Sequence, residues 1–278
     1  MSAAQDRFTA EEQFHDEWAD STQVENIDVR QMNESVTAPE MRHITRQLGD
    51  LSGKTLLDIG CGLGEASVYF ALRGARVTAT DISGGMLKVT QKLAAQNDVR
   101  VTTHQSTAEN LNFTNNETFD VIYVGNLFHH VEIAPTLQNI QQVMHPGSVL
   151  VSWDPVAYNP LINIYRWIAT DVRTDDEHPF TVNDVELFKA AFGDVRVRFF
   201  WLTTLLLFIL MIIVDFRNPN KVRFWKKVVE EGDRWAWLYR PLATFDTFIL
   251  KIFPSNPRCF FGVLNGFFLI IRLLIMKS

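Results

Sequence analysis

The sequence predicts an α/β fold: a doubly wound, mostly parallel sheet with helices on both faces, followed by a hydrophobic, largely helical C-terminal extension. Three observations carry this. Short apolar runs rich in Val, Ile and Thr alternate with segments of helical periodicity between residues 54 and 154. The connections between them are short, which in an alternating pattern means parallel strands with crossover helices. Finally, "FFWLTTLLLFILMIIV", Phe199 to Val214, is a charge-free run that departs from this rhythm.

The elements follow in order. Residues 10–20 and 38–49 read as helices, the second opening at Thr37-Ala38-Pro39 with proline near its start. "KTLLDIG" is a buried strand, 64–73 a helix stopped by Gly74, and "ARVTATD" a second strand. Residues 84–96 form a helix with Ser83 as N-cap, then come the strands "VRVTTHQ" and "FDVIYVGN". A helix over about 135–144 leads to a turn and a fifth strand, "HPGSVLVSWD". Residues 155–180 lapse from the pattern, with prolines, aromatics and a charged turn, and read as a lid or substrate-shaping insertion. A helix over 181–192 and a sixth strand, "VRVRFFWLT", close the alternation.

Composition bounds the class. The chain has 278 residues, 47% hydrophobic and 21% charged, which excludes a disordered protein. Its two cysteines, Cys61 and Cys259, have no metal-ligand spacing, so a reducing compartment is expected and no metal site. The polar N-terminus lacks the apolar core of a signal peptide. The net charge of −6 is unevenly spread: residues 215–278 hold 11 Lys and Arg against five acids, the remainder 15 against 27. An acidic body with a basic, apolar tail suits anionic lipid better than nucleic acid. The runs Phe199–Val214 and Cys259–Ile271 both fall short of the ~20 residues of a spanning helix. Interfacial or re-entrant contact is therefore expected, with Trp225, Trp235, Trp237 and Tyr239 as headgroup-level anchors. A helical subdomain buried on itself or on a second subunit is the competing expectation.

Chemistry enters at "LLDIGCGLGEAS". Gly60, Gly62 and Gly64 follow a strand and open a helix, so bare backbone can turn sharply and touch a ligand. The dinucleotide fingerprint needs a third glycine where Glu65 stands. An acid at the helix entrance, with Asp58 two residues before the first glycine, disfavours a pyrophosphate and favours a ligand of positive or zwitterionic character.

The order acid-x-Gly-x-Gly-x-Gly resembles motif I of class I S-adenosylmethionine-dependent methyltransferases, which have a Rossmann-like fold. "VTATDIS", "STAENLNF", "FDVIYVGNLFHHV" and "VMHPGSVLVSWDP" match four further motifs of that family in order, and the match extends over roughly residues 40–155. It is closest to the small-molecule and quinone-type branch. The resemblance implies S-adenosylmethionine as cofactor, with contacts from Asp58, Gly60, Cys61, Gly62, Gly64, Asp81, Ile82, Thr107, Ala108, Glu109 and Asn126. Asp81 would accept from the ribose hydroxyls; Thr107 stands where the family usually has an aspartate for the adenine amine. Together with the charge and hydropathy pattern, the expected division is an N-terminal helical cap (1–50), a methyltransferase domain (51–203, insertion 155–180) and a membrane-associating extension (204–278).

Methyl transfer to oxygen or carbon uses a base, and His130, His129 and His178 are the candidates. His15 lies on the helix expected to close over the cofactor, while Tyr158, Arg166 and Asp154 are acceptor-pocket candidates. The expected function is methylation of a lipid-like or membrane-associated small molecule (a quinone, a polyprenyl-linked compound or a lipid head group) at the cytoplasmic face of a membrane. Alternatives are a soluble enzyme with a C-terminal dimerisation subdomain, and a non-catalytic membrane module that binds the cofactor. The Asn/Asp-Pro-Pro-aromatic motif of nucleic-acid amino-methylation is replaced by "GNLFHH", and no nucleic-acid partner is expected. Titration calorimetry should give binding heat for S-adenosylmethionine or S-adenosylhomocysteine and none for NADH; the reverse would refute the reading of the glycine loop.

Overall fold

The computed structural model describes residues 3–113, 117–170, 178–252 and 268–274. Its centre is a seven-stranded sheet of order β3-β2-β1-β4-β5-β7-β6. The strands are β1 Thr55–Ile59, β2 Arg76–Asp81, β3 Val101–Gln105, β4 Phe119–Gly125, β5 Met144–Pro155, β6 Val195–Phe200 and β7 Phe268–Leu274. β1 to β5 are parallel, and β7 enters antiparallel to both β5 and β6. Strand order reverses at β1, which has β2 on one side and β4 on the other. Ligands of open parallel sheets sit beyond the carboxyl ends at such a point.

The period-two alternation of the strands divides the core in two. Leu56, Val121 and Tyr123 face one cluster; Leu57, Ile59, Ile122 and Val124 face the other. The first cluster is covered by α3 (Pro39–Leu48), α4 (Glu65–Leu72) and α5 (Gly84–Gln96), joined by α9 (Leu206–Ile213), α10 (Phe224–Glu230) and α11 (Gly232–Ile252). The second is covered by α6 (Ile133–Gln142) and α8 (Val182–Phe192). α5 starts as its sequence predicts, with Ser83 Oγ accepting from the Met86 N–H at 2.9 Å. α1 (Ala3–Asp20) begins earlier than its predicted start at residue 10. A short helix, α2 (Val29–Glu34), was not foreseen; Asp28 caps it by accepting from the Gln31 N–H at 2.9 Å.

Residues 155–180 contain α7 (Pro160–Ile168) and return to the sheet end, where the Phe180 N–H donates to Pro155 O and the Ala157 N–H to Phe180 O.

The first apolar run is divided. Phe199 and Phe200 end β6, Trp201 and Leu202 are buried in a turn, and Leu207, Phe208 and Met211 of α9 pack into the first core cluster. Much of its hydrophobicity thus serves the interior. The second run lies partly outside the described residues, as does Cys259. Its last part, from Phe268, belongs to β7, a sheet strand that the sequence reading assigned to the extension. Among the described residues no helix is long and apolar enough to cross a membrane. The anchor expectation is corrected for three residues: Trp235 and Tyr239 are buried against the core, Trp225 is half-buried beside Trp153, and Trp237 alone is exposed. Helical periodicity, not proximity in sequence, decides which of them faces outward.

One buried carboxylate ties α11 to the turn before α9. Asp246 accepts from the backbone N–H groups of Leu202, Thr203 and Thr204 and from both threonine hydroxyls. Removing it strands several buried donors, so Asp246→Ala should lower stability by about 2–4 kcal/mol. Chemical denaturation checks this, and Asp246→Asn should lose less.

Candidate functional site

The glycine loop explains itself geometrically. Gly60, Gly62 and Gly64 have φ of +70°, +54° and +84°, left-handed values that a side chain disfavours. A Cβ on Gly60 would lie 2.8 Å from Leu127, and one on Gly64 2.5 Å from Thr90 Oγ1. Gly62 differs: nothing lies within 4 Å of its absent Cβ. Two glycines are required by protein neighbours, and the middle one keeps its backbone open to a cavity.

That cavity, of about 290 Å³, lies over the carboxyl ends of β1, β2 and β4. Asp58, Gly60, Cys61, Gly62, Asp81, Ile82, Thr107, Ala108, Glu109, Asn126, His129 and His130 all line it. Gly64 shapes the loop from behind. His178 does not line it; its side chain is exposed and its backbone N–H donates to His129 O at 3.0 Å. Of the acceptor-pocket candidates, Arg166 lines the cavity, Asp154 is buried behind His129, and Tyr158 packs against the second core cluster.

Asp81, at the end of β2, accepts from the Gly62 N–H and the Ser83 N–H, both at 2.9 Å. The carboxylate is thereby locked to the loop. Asp58 accepts from Ser67 Oγ at 2.5 Å, and burial pushes its pKa up to about 7. Cys61 is a free, buried thiol, raised well above its ordinary range by burial and the neighbouring acids, and so remains protonated. Glu65 does not meet the cavity as a lone charge: Lys226 of α10 binds its Oε1 at 2.8 Å.

α1 covers the cavity with Arg7, Phe8, Glu11, Phe14, His15 and Trp18, spaced along one helical face. Asp16 fixes the helix, accepting from Ser83 Oγ at 2.5 Å and the Gly85 N–H at 2.9 Å. Arg7 binds Glu109 at 2.5 Å, and Glu11 bridges His15 and His130 at 3.3 and 3.4 Å. Arg223 stacks 3.6 Å over Trp18, so residues 205 positions apart close the site together.

His129 and Asp154 form a buried pair, with Nδ1 3.0 Å from Asp154 Oδ1. Burial pushes the imidazole well below its ordinary pKa and the carboxyl well above. With the ring hydrogen on Nδ1 and the carboxylate of Asp154 accepting it, Nε2 is the nitrogen able to take a proton.

Beyond the loop the wall is aromatic: Tyr123, Trp153, Tyr165 and Trp225, with Met41 and Ile162. Trp153 Nε1 donates to Tyr123 Oη at 2.7 Å, which in turn lies 3.1 Å from Met41 Sδ. Glu40, in the first turn of α3, completes this wall; burial raises its pKa to about 7. Asp16 and Glu40 were not singled out from sequence, since each acquires meaning through partners distant along the chain.

Residues 57–152 match the family model described as a methyltransferase domain. A ubiquinone biosynthesis O-methyltransferase of Pseudomonas syringae pv. tomato is 34% identical over 123 residues, covering 44% of this chain and 53% of that protein. One of the same name from Aeromonas salmonicida is 34% identical over 124 residues, covering 43% and 52%. The chain thus spans about half the length of these relatives. Among solved structures, Haemonchus contortus phosphoethanolamine N-methyltransferase 2, with phosphomonomethylethanolamine and S-adenosylhomocysteine bound, superposes with TM-score 0.55 at 17% identity, over 86% of this chain and 52% of that one. A Thermotoga maritima S-adenosylmethionine-dependent methyltransferase, possibly a histamine N-methyltransferase, gives 0.55 at 15% identity, over 89% and 92%. These likenesses concern the fold.

Asp58 and Glu40 have folded pKa values above their ordinary 3.8 and 4.5. Each favours the folded state when protonated, a contribution present at low pH and lost as pH rises towards about 7. The melting temperature of the ligand-free protein should therefore fall between about pH 4 and pH 7, the interval these shifts span. Glu40→Gln should flatten that fall, as read by calorimetry across the range. The order of its motifs, the geometry of its glycine loop and the match over residues 57–152 are those of a methyltransferase domain, with the Rossmann-like fold found in S-adenosylmethionine-dependent methyltransferases.

Proposed function

We propose that the protein transfers a methyl group from S-adenosylmethionine to an apolar, lipid-like small molecule of quinone type at a membrane surface. The observation that carries this reading is one continuous cavity. It joins the glycine loop and Asp81 to an aromatic wall, with the His129–Asp154 pair on its lining or directly behind it. The residues fit the cofactor: Asp81 as acceptor for ribose hydroxyls, Thr107, Ala108 and Glu109 around the base, the open backbone at Gly62, and Asp58, Cys61, Ile82 and Asn126 along the same wall. S-adenosylmethionine supplies a methyl group already activated on a sulfonium. The chain's own task is then to align the acceptor, exclude water and take a proton, and alignment alone is worth ~7–11 kcal/mol.

His129 is the base in this reading. Neutral and buried, it accepts the acceptor's proton at Nε2, and Asp154 at 3.0 Å from Nδ1 offsets the charge that develops on the ring. His130 is bound to Glu11 of the covering helix and holds that helix in place. A quinone-type acceptor is suggested by the Pseudomonas and Aeromonas relatives, which are named ubiquinone biosynthesis O-methyltransferases, and the wall of Trp153, Trp225, Tyr165 and Ile162 suits an aromatic or prenylated body.

Surface features support membrane contact. α11 exposes Trp237, Phe245 and Phe248, 72%, 51% and 61% accessible, with Arg240 and Pro241 also exposed along it. Trp167 of α7 and Phe216 after α9 are similarly bare, at 81% and 88%. Aromatic groups beside guanidinium groups are suited to the interface of an anionic bilayer.

The test uses labelled S-adenosylmethionine and a total lipid extract. Label should enter an organic-soluble product, and His129→Ala should lower its rate by about 10²–10⁴-fold while binding of S-adenosylhomocysteine persists. Label retained only in water-soluble material would refute the lipid-like acceptor. Combined Trp237→Ser, Phe245→Ser and Phe248→Ser should abolish flotation with phosphatidylglycerol vesicles; unchanged flotation would remove the membrane from the proposal. A stable dimer that these changes dissociate would assign the face to a second subunit.

A further inference from the structure

Glu40 is a carboxylate in an unusual place. It is 5% exposed, lies on the cavity wall among Met41, Tyr123 and Trp153, and receives one side-chain hydrogen bond, from Trp201 Nε1 to Oε2 at 3.0 Å. Among the described residues no Lys, Arg or His is paired with it. Its charge acts on Tyr123 of β4 and Tyr239 of α11, both held as neutral phenols by burial; Asp58 also acts on Tyr123, and Asp246 and Arg42 on Tyr239. A carboxylate so surrounded is costly unless something supplies the missing donor or charge. A structural staple for Trp201 needs only a carbonyl, which glutamine offers without that cost.

We propose that Glu40 anchors the acceptor, by accepting a hydrogen bond from a hydroxyl or ammonium group of the molecule in the aromatic part of the cavity. The site thus selects acceptors that pair an apolar or aromatic body with a hydrogen-bond donor, and rejects those presenting an anion there. This rests on the methyltransferase reading and adds the chemical feature by which the acceptor is chosen. Glu40 and the His129–Asp154 pair then have separate tasks: one holds the acceptor, the other takes its proton.

Benzylamine, benzyl alcohol and benzoate share one aromatic body and differ in their polar head. Their affinities for the full chain saturated with S-adenosylhomocysteine test the proposal by ligand-observed NMR. Benzylamine and benzyl alcohol should bind at least about tenfold more tightly than benzoate, the margin of one charge-assisted hydrogen bond. The order of the first two reports whether an ammonium or a hydroxyl is the preferred donor. Glu40→Gln keeps the Trp201 contact and should erase the margin, leaving S-adenosylhomocysteine affinity unchanged. Benzylamine affinity should rise as pH passes through about 7, where Glu40 ionises. Trp201→Phe, which removes the donor to the carboxylate, should move that rise to higher pH. A purely structural contact would change melting temperature in both variants and leave the margin and the pH profile as they were. A margin that survives Glu40→Gln, or three probes that all fail to bind the saturated protein, would overturn the proposal. Failure of S-adenosylhomocysteine to bind the unaltered chain would instead overturn the methyltransferase reading beneath it.

Discussion

The left-handed loop between β1 and α4 is the constraint on which the site depends. Within five residues the chain passes three times through positive φ, and it does so against fixed neighbours, Leu127 on one side and Thr90 on the other. The Gly60 and Cys61 N–H groups donate to Thr80 O, and the Gly62 N–H to the carboxylate of Asp81. Loop and acid are therefore one unit, assembled from the ends of two paired strands, β1 and β2. Asp81 also accepts from the Ser83 N–H, and Ser83 Oγ donates to Asp16 of α1. A continuous series of hydrogen bonds thus runs from the nucleotide loop to the helix that covers it.

The contrast among the carboxylates shows how environment divides labour. Asp16 has hydrogen bonds from Ser83 and Gly85 and stays below its ordinary pKa. Asp58, Glu40 and Asp154 are buried and are raised, each with too few donors to offset the loss of water. Glu65 is balanced by Lys226. Reading the acids from sequence as a single negative field was thus too simple. The field at the loop depends on which of them are protonated and which are paired.

Much of the parallel sheet was legible because local signals agreed. Short apolar runs marked β1 and β4 as strands, Ser83 marked the start of α5, and the glycines marked the turn. The errors arose where hydrophobicity had two physical uses. The run from Phe199 reads equally well as an interior or an interface, and the sheet and α9 claim most of it. β7 was missed because an apolar run near the end of a chain carries no mark of the partners it will pair with. Trp235 and Tyr239 were taken for surface anchors because aromatic residues near bases look alike whichever way their helix turns. At the site, residues in the motifs were legible in place, whereas Asp16, Glu40 and the pairing of Asp154 with His129 follow from contacts between segments far apart along the chain.

The covering of the cavity by α1 and α10 has a consequence for biogenesis. Trp18 lies under Arg223, and Glu65 under Lys226, so contacts spanning 205 and 161 positions complete the roof. During synthesis the strands from β1 to β5 emerge first and can pair, yet the nucleotide seat stays uncapped until the ribosome has released the segment through Val229. A nascent chain should therefore acquire its secondary structure well before it can retain a nucleoside, and premature termination before Arg223 leaves the seat open to water.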